Sequence, residues 1–221
     1  LELKEERGKF PNGILVSRSP TETGEKLGFL PGTEVEKIAA QHPQKVFNVH
    51  PYHKLQCGII TTGSEVYKGR IKDKFGPVMR DKIAYYGGEC LGQTFCLDDQ
   101  EMIGRAIAAF VEQGADLIIL TGGMSVDPDD VTPTAIAASG ANVISYGAPV
   151  QPGNMLMLAY LGKTTLVGVP GCAMYFRTTA LDTVLARTFA GISVSKRDLA
   201  RMGEGGLCNS CKECHYPVCY F

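Results

Sequence analysis

Asp116-Leu117-Ile118-Ile119-Leu120-Thr121-Gly122-Gly123-Met124-Ser125-Val126-Asp127-Pro128-Asp129-Asp130 is the stretch on which the fold of this chain turns. Leu117 to Leu120 are apolar without interruption, the pattern of a short strand covered on both faces. Gly122-Gly123 then call for a tight turn in which backbone N–H groups can face an anion. Three carboxylates follow at Asp127, Asp129 and Asp130, and Thr132-Pro133 reads as a helix start with Thr at the N-cap and Pro in the first turn. Strand, glycine turn, acidic loop and helix start in succession suit a phosphate-bearing ligand accompanied by a divalent cation. The same residue types also make an ordinary strand–turn–helix corner with solvated acids, so the neighbouring loops have to decide.

Working outward, strands alternate with helices. Strands are expected over 58–62, 89–96, 117–120, 142–145, 155–160 and 164–169, with Leu161-Gly162-Lys163-Thr164 as a hairpin turn between the last two. Helices are expected over 76–86, 99–113, 133–139 and, as one long amphipathic element, 172–189. Such alternation implies right-handed crossovers and an α/β fold: a three-layer α/β/α sandwich with a mostly parallel sheet. Before residue 56 the periodicity is weak, with strand character at Ile14-Leu15-Val16 and a short helix near Val35 to Ala40. The organisation expected is an N-terminal segment or linker over 1–54, an α/β domain over 55–191 and a cysteine-rich tail over 192–221.

Composition excludes several function classes. A net charge of -1 leaves no large basic face for nucleic acid, and no apolar run approaches the roughly 20 residues of a membrane span. With Leu1 in place of Met, the chain reads as a piece of a longer polypeptide, so the absence of a targeting segment decides little. Cys57, Cys90, Cys96 and Cys172 are scattered as buried or incidental thiols, which points to a reducing compartment and a cytoplasmic protein. Cys208-x2-Cys211-x2-Cys214-x4-Cys219 is different: thiolates on short loops converge cheaply on one soft metal, so Zn²⁺ or an iron–sulfur cluster is expected there, a reduced tail being the alternative. Such a tail suggests redox coupling, or docking onto a partner protein.

In parallel sheets ligands sit beyond the carboxyl ends of the strands, so the loops there should carry compatible chemistry. After the first strand, Thr61, Thr62 and Ser64 surround Gly63, with Glu65 as an acid. After the second come Asp98 and Asp99, Asp98 also reading as the N-cap of its helix. After the last, Gly168-Val169-Pro170-Gly171-Cys172 runs into a helix as a second anion corner. Lys68, Arg70, Lys72 and Lys74 form a run that suits either a phosphate tail or a solvated face.

These loops in this order resemble the molybdopterin-binding domain shared by molybdopterin adenylyltransferases and molybdenum insertases, over about three-fifths of the chain, with the insertase branch nearest. The family's T-G-[DE]-E stands at Thr62-Gly63-Ser64-Glu65, and its S-G-G-V-S-V-G-x-x-D at Thr121-Gly122-Gly123-Met124-Ser125-Val126-Asp127-Pro128-Asp129-Asp130. Its K-P-G-K-P stands at Gln151-Pro152-Gly153-Asn154-Met155 and its G-L-P-G-N-P at Gly168-Val169-Pro170-Gly171-Cys172-Ala173. The resemblance implies a role in molybdenum-cofactor biosynthesis, as a transferase that inserts molybdate or as a non-catalytic carrier or sensor. Molybdopterin or its adenylylated form would be the ligand, with Mg²⁺, a nucleotide leaving group and a homo-oligomer. It implies ligand contacts at Thr62, Gly63, Ser64, Thr121, Gly122, Gly123, Ser125, Asp127, Pro152, Gly153, Pro170 and Gly171, and site acids at Glu65, Asp98, Asp99 and Asp130. The chain departs from the pattern where both lysines of K-P-G-K-P have become Gln151 and Asn154, where Cys172 and Ala173 close the last motif, and where Asp73-Lys74-Phe75 replaces D-S-N.

Overall fold

The computed structural model of the chain describes residues 14–18, 47–125, 127 and 130–204. Within them, β1 (Ile14–Arg18) and β2 (Phe47–Pro51) pair as an antiparallel ribbon. A six-stranded sheet contains β3 (Gln56–Thr62), β4 (Glu89–Cys96), β5 (Leu117–Thr121), β6 (Asn142–Tyr146), β7 (Met157–Leu161) and β8 (Thr164–Val169), in the order β4-β3-β5-β8-β7-β6. β3 lies parallel to β4 and β5, and β5 to β8; β7 is antiparallel to both β8 and β6. The antiparallel pair β7/β8 closes through Gly162-Lys163, with Gly162 at φ 59, the left-handed conformation that a two-residue hairpin requires.

β5 shows how the layers arise. Leu117, Ile118, Ile119 and Leu120 are all 0% exposed, and successive side chains serve opposite faces. The helices are α1 (Ser64–Tyr67), α2 (Phe75–Tyr85), α3 (Gln100–Glu112), α4 (Thr132–Ala138), α5 (Ala180–Phe189) and α6 (Lys196–Ala200). Leu117 and Ile119 join a core with Met79 and Ile83 of α2 and Leu181, Val184, Leu185 and Phe189 of α5. Ile118 and Leu120 meet Ile103, Ile107 and Phe110 of α3 and Ala135 and Ile136 of α4. Two separate cores on either side of one sheet make the three-layer α/β/α sandwich that the alternating pattern predicts.

Three local expectations need correcting. The single helix expected over 172–189 is two pieces: Gly171–Met174 form a 3-10 turn, and α5 begins only at Ala180. Thr179 and Asp182 make a reciprocal capping box, which ends the preceding segment and starts a new helix. Thr132 is not an N-cap: Val131 occupies that position, and the Thr132 hydroxyl donates inward to the Gly122 carbonyl at 2.9 Å. Asp99, not Asp98, caps α3, its carboxylate accepting from the Met102 amide at 2.7 Å.

The core also continues on both sides of 55–191. Tyr52 packs edge-on to Tyr86 with ring centres 5.3 Å apart, and the His53 amide donates to the Phe189 carbonyl at 2.8 Å. Val194 and Leu199 are each 1% exposed in the core beneath α2 and α5, and α6 opens on its own Ser195–Asp198 capping box. The helix expected near 35–40 and the cysteines at 208, 211, 214 and 219 lie outside the described residues. Among the described residues, no helix is long and apolar enough to cross a membrane.

Candidate functional site

Register gathers the loops. Thr62 lies opposite Cys96, Thr61 opposite Thr121, and Thr121 opposite Val169, so β3, β4, β5 and β8 all end at one edge of the sheet. β7 runs the other way and starts at Met157 opposite Gly168, which brings the 150–156 loop to the same edge. Thr62, Gly63, Ser64, Thr121, Gly122, Gly123, Ser125, Asp127, Pro152, Gly153, Pro170 and Gly171 therefore share one rim, as do Glu65, Asp98, Asp99 and Asp130. Asp129 lies outside the described residues.

The Gly122-Gly123 turn is built from backbone alone. Both residues are left-handed, at φ 87 and 54, and a Cβ on Gly122 would stand 2.2 Å from the Thr62 carbonyl oxygen. Among the described residues their two amides find no acceptor, so they remain available to an anion at the rim. The turn is held from beneath by hydroxyls. Thr132 gives its proton to the Gly122 carbonyl, so the 3.1 Å contact between Thr62 and Thr132 has Thr62 as donor. Thr121 donates to Thr61 at 3.0 Å, and Gln93 Nε2 reaches Thr61 at 2.8 Å and Asp73 at 2.7 Å. Thr61, Thr62, Thr121 and Thr132 are buried, so their hydroxyls support the rim from inside, while Ser64 and Ser125 are exposed on it.

Each acid has its own local task. Asp98 Oδ2 accepts from the Ser64 amide at 3.0 Å and from its hydroxyl at 3.3 Å, tying the β4 loop to the β3 loop. Asp130 Oδ2 accepts from the Ser125 amide and hydroxyl at 2.6 and 2.7 Å, closing the acidic loop on itself. Tyr146, at the end of β6, donates to the Ser125 carbonyl at 3.1 Å, and burial together with the nearby Asp130 charge raises its phenol above the ordinary range. Glu65 is exposed, and its carboxylate has no hydrogen-bond partner among the described residues. The Mg²⁺ expectation meets no matching donor set: among the described residues, no three His, Cys, Asp or Glu stand close enough to hold a metal ion.

On the far side of the rim, the Pro152 carbonyl accepts from the Ala180 amide at 3.0 Å, and a Cβ on Gly153 would come 2.8 Å from Ala180. This pins the 150–156 loop to the start of α5, with Gln151 and Asn154 exposed where the resemblance has cations. Cys172 is half-buried in the 3-10 turn; burial raises its thiol, with the Cys172 and Ala173 amides pulling the other way. The expected helix N-terminus is absent from this corner, because α5 starts only at Ala180. Sequence reasoning missed Gln93, Thr132 and Tyr146 as parts of the site. A polar Gln in an edge strand was a usable signal; nothing local marks Tyr146, which reaches the rim only through the antiparallel pairing of β6.

The chain is similar to a CinA-like protein of Mycobacterium tuberculosis, 37% identical over 82 residues, 37% of this chain and 19% of that protein. A CinA-like protein of Mycobacterium avium is 35% identical over 96 residues, 43% of this chain and 22% of the relative. The chain thus matches only about a fifth of the length of these curated relatives. Among solved structures, the tungsten cofactor synthesizing protein MoaB from Pyrococcus furiosus superposes with a TM-score of 0.52 at 20% identity, covering 62% of this chain and 93% of that one; the likeness is one of fold. The family model described as "Probable molybdopterin binding domain" matches residues 58–190, and that match runs from the middle of β3 to the end of α5 and takes in the whole rim. Because it spans more than half of the chain, this protein belongs to that molybdopterin-binding domain family.

Proposed function

We propose that this chain works in molybdenum-cofactor biosynthesis as a binding module, holding molybdopterin or its adenylylated form across the carboxyl ends of β3, β4, β5 and β8. The observation that carries this reading is the Gly122-Gly123 turn. Among the described residues its two amides have no acceptor, and a buried hydroxyl network holds the turn in place, which preorganises it for a phosphate. Gly63, Ser64, Ser125, Asp127, Pro152, Gly153, Pro170 and Gly171 supply the surrounding contacts. Carriage is favoured over molybdate insertion because Asp98, Asp99 and Asp130 are engaged with Ser64, Met102 and Ser125, and because Gln151 and Asn154 carry no charge. One observation favours a second reading: Glu65 presents an unengaged carboxylate at the rim, a suitable group for a proton-transfer or metal-orienting role in a transferase.

The tail belongs to the same proposal, on sequence spacing alone: Cys208, Cys211, Cys214 and Cys219 would hold Zn²⁺ or an iron–sulfur cluster and dock the module onto a molybdoenzyme or maturation partner. The test is titration of the purified chain with molybdopterin and with adenylylated molybdopterin, followed by molybdate and Mg²⁺. Stoichiometric binding without nucleotide release is the expected result. Nucleotide release that vanishes in Glu65→Gln would establish the transferase instead, and failure to bind either pterin would defeat the whole reading.

A further inference from the structure

The rim is acidic or neutral almost everywhere a loop crosses it. Asp98 and Asp99 follow β4, Asp127 and Asp130 follow β5, and Gln151 and Asn154 precede β7. An anionic ligand at the Gly122-Gly123 turn needs compensating positive charge; the connection after β8 offers only Arg177, whereas one loop gathers four cations. Lys68, Arg70, Lys72 and Lys74 all lie between α1 and α2, in the connection that leaves the carboxyl end of β3, and all are exposed. None has an ion-pair partner among the described residues; the ion pairs there are Lys54–Glu89, Lys82–Asp182, Arg105–Glu101 and Arg187–Asp198.

The loop is also held in place, which a merely solvated run would not need. At its start the Tyr67 amide donates to Gly63 at 2.9 Å and the Lys68 amide to Ser64 at 3.1 Å, while the Arg70 amide returns to the Glu65 carbonyl at 2.8 Å. At its end Asp73, its one carboxylate, accepts from the Phe75 amide at 2.9 Å and from Gln93 Nε2 at 2.7 Å. Through Gln93 and Thr61 that anchor joins the hydroxyl network that includes Thr121, the residue before the glycine turn. The cation-bearing loop and the amide-bearing turn are thus two ends of one hydrogen-bonded assembly.

From this the geometry points to Lys68, Arg70, Lys72 and Lys74 as a diphosphate clamp: positive charge absent from the 151–154 loop is supplied instead by the α1–α2 loop, and the ligand class it selects is the adenylylated, diphosphate-bearing pterin over the monophosphate. The inference rests on the pterin-binding reading above. Several cations on one short loop match a diphosphate better than a single phosphate, since each added anionic oxygen gains a charge-assisted bond. Such contacts between exposed groups weaken with salt.

The test compares the full chain with Lys68→Gln/Arg70→Gln, with Lys72→Gln/Lys74→Gln, and with the control Lys54→Gln/Lys163→Gln, which removes two charges at the opposite edge of the sheet. Each is titrated with molybdopterin, adenylylated molybdopterin and inorganic pyrophosphate at about 0.05 M and about 0.3 M salt. The expected result is a loss of roughly tenfold or more in affinity for the adenylylated form and for pyrophosphate in each loop variant, a smaller loss for the monophosphate, and a shallower salt dependence. The control pair should bind like the parent chain. Loop variants that bind all three ligands as the parent does, at both salt concentrations, would overturn the clamp while leaving pterin binding intact. A parent chain that binds pyrophosphate through these cations but neither pterin would uphold the clamp and defeat the pterin-binding reading.

Discussion

Gly122 is the residue with the least latitude at the rim. Its φ of 87 is a conformation that side-chain-bearing residues rarely adopt, and the Thr62 carbonyl oxygen occupies the space a Cβ would need. Gly122→Ala therefore combines backbone strain with a close contact, and a stability loss of about 1–3 kcal/mol is expected from the strain alone. The check is a pair of urea titrations, parent and variant; an unchanged midpoint would mean that the turn can flip. Burial also sets the chemistry of Cys57. It is 0% exposed, and burial, with smaller contributions from Cys90 and Asp116, pushes its thiol up to about 12. A folded pKa above the unfolded value stabilises the native state below the ordinary thiol range, and that contribution is lost as pH rises through the folded value. Stability should accordingly fall between about pH 9 and 12, more steeply than in Cys57→Ala, as read by urea midpoints at several alkaline pH values. An identical alkaline slope in both proteins would refute the assignment. Both residues are visible as letters in the sequence, but only the approach of Thr62 to Gly122 and the burial of Cys57 between layers give them these properties.

At the scale of elements, α5 depends on one carboxylate. Asp182 accepts from the Thr179 amide at 2.8 Å to complete the capping box, and its other oxygen pairs with Lys82 of α2, whose ammonium also donates to the Arg177 carbonyl at 2.9 Å. The side chains of Lys82 and Asp182 are 12% and 19% exposed, so removing one partner leaves a charge in poor contact with water. Asp182→Ala should cost about 3 kcal/mol, against about 1 kcal/mol for Thr179→Ala, which disturbs the cap alone. Equal losses, measured by thermal or urea unfolding, would show that the ion pair contributes nothing beyond the cap. Apolar spacing carries on from 180–189 back into 172–174, so periodicity alone extends the helix too far. The Thr179-x-x-Asp182 signature was the legible stop signal. Thr132-Pro133 misled in the opposite sense: the residue types of a helix start are present, but the hydroxyl serves the Gly122 carbonyl instead of an amide of its own helix. Local chemistry offers a threonine several partners, and tertiary contact selects among them.

For the molecule as a whole, the sheet order β4-β3-β5-β8-β7-β6 is what turns separate loops into a site. The apolar run at Leu117–Leu120, the alternation of strands with amphipathic helices and the glycine-marked turns were enough to read a three-layer α/β/α sandwich, because each pattern reflects burial on one or both faces of a single element. Those patterns are local, so the residues themselves determined them: which segments are strands, where the chain must turn, and which loops bear acids, hydroxyls or cations. Pairing across distant segments is not local. That Asp98 ties to Ser64, that Tyr146 reaches the Ser125 carbonyl, and that Gln93 links Asp73 to Thr61 depended on register between strands up to 60 residues apart, which no periodicity encodes. Only the folded arrangement decided that Asp98, Asp99 and Asp130 hold loops and a helix start while the Gly122 and Gly123 amides have no acceptor among the described residues, because hydrogen-bond partners are chosen by proximity after the layers have packed.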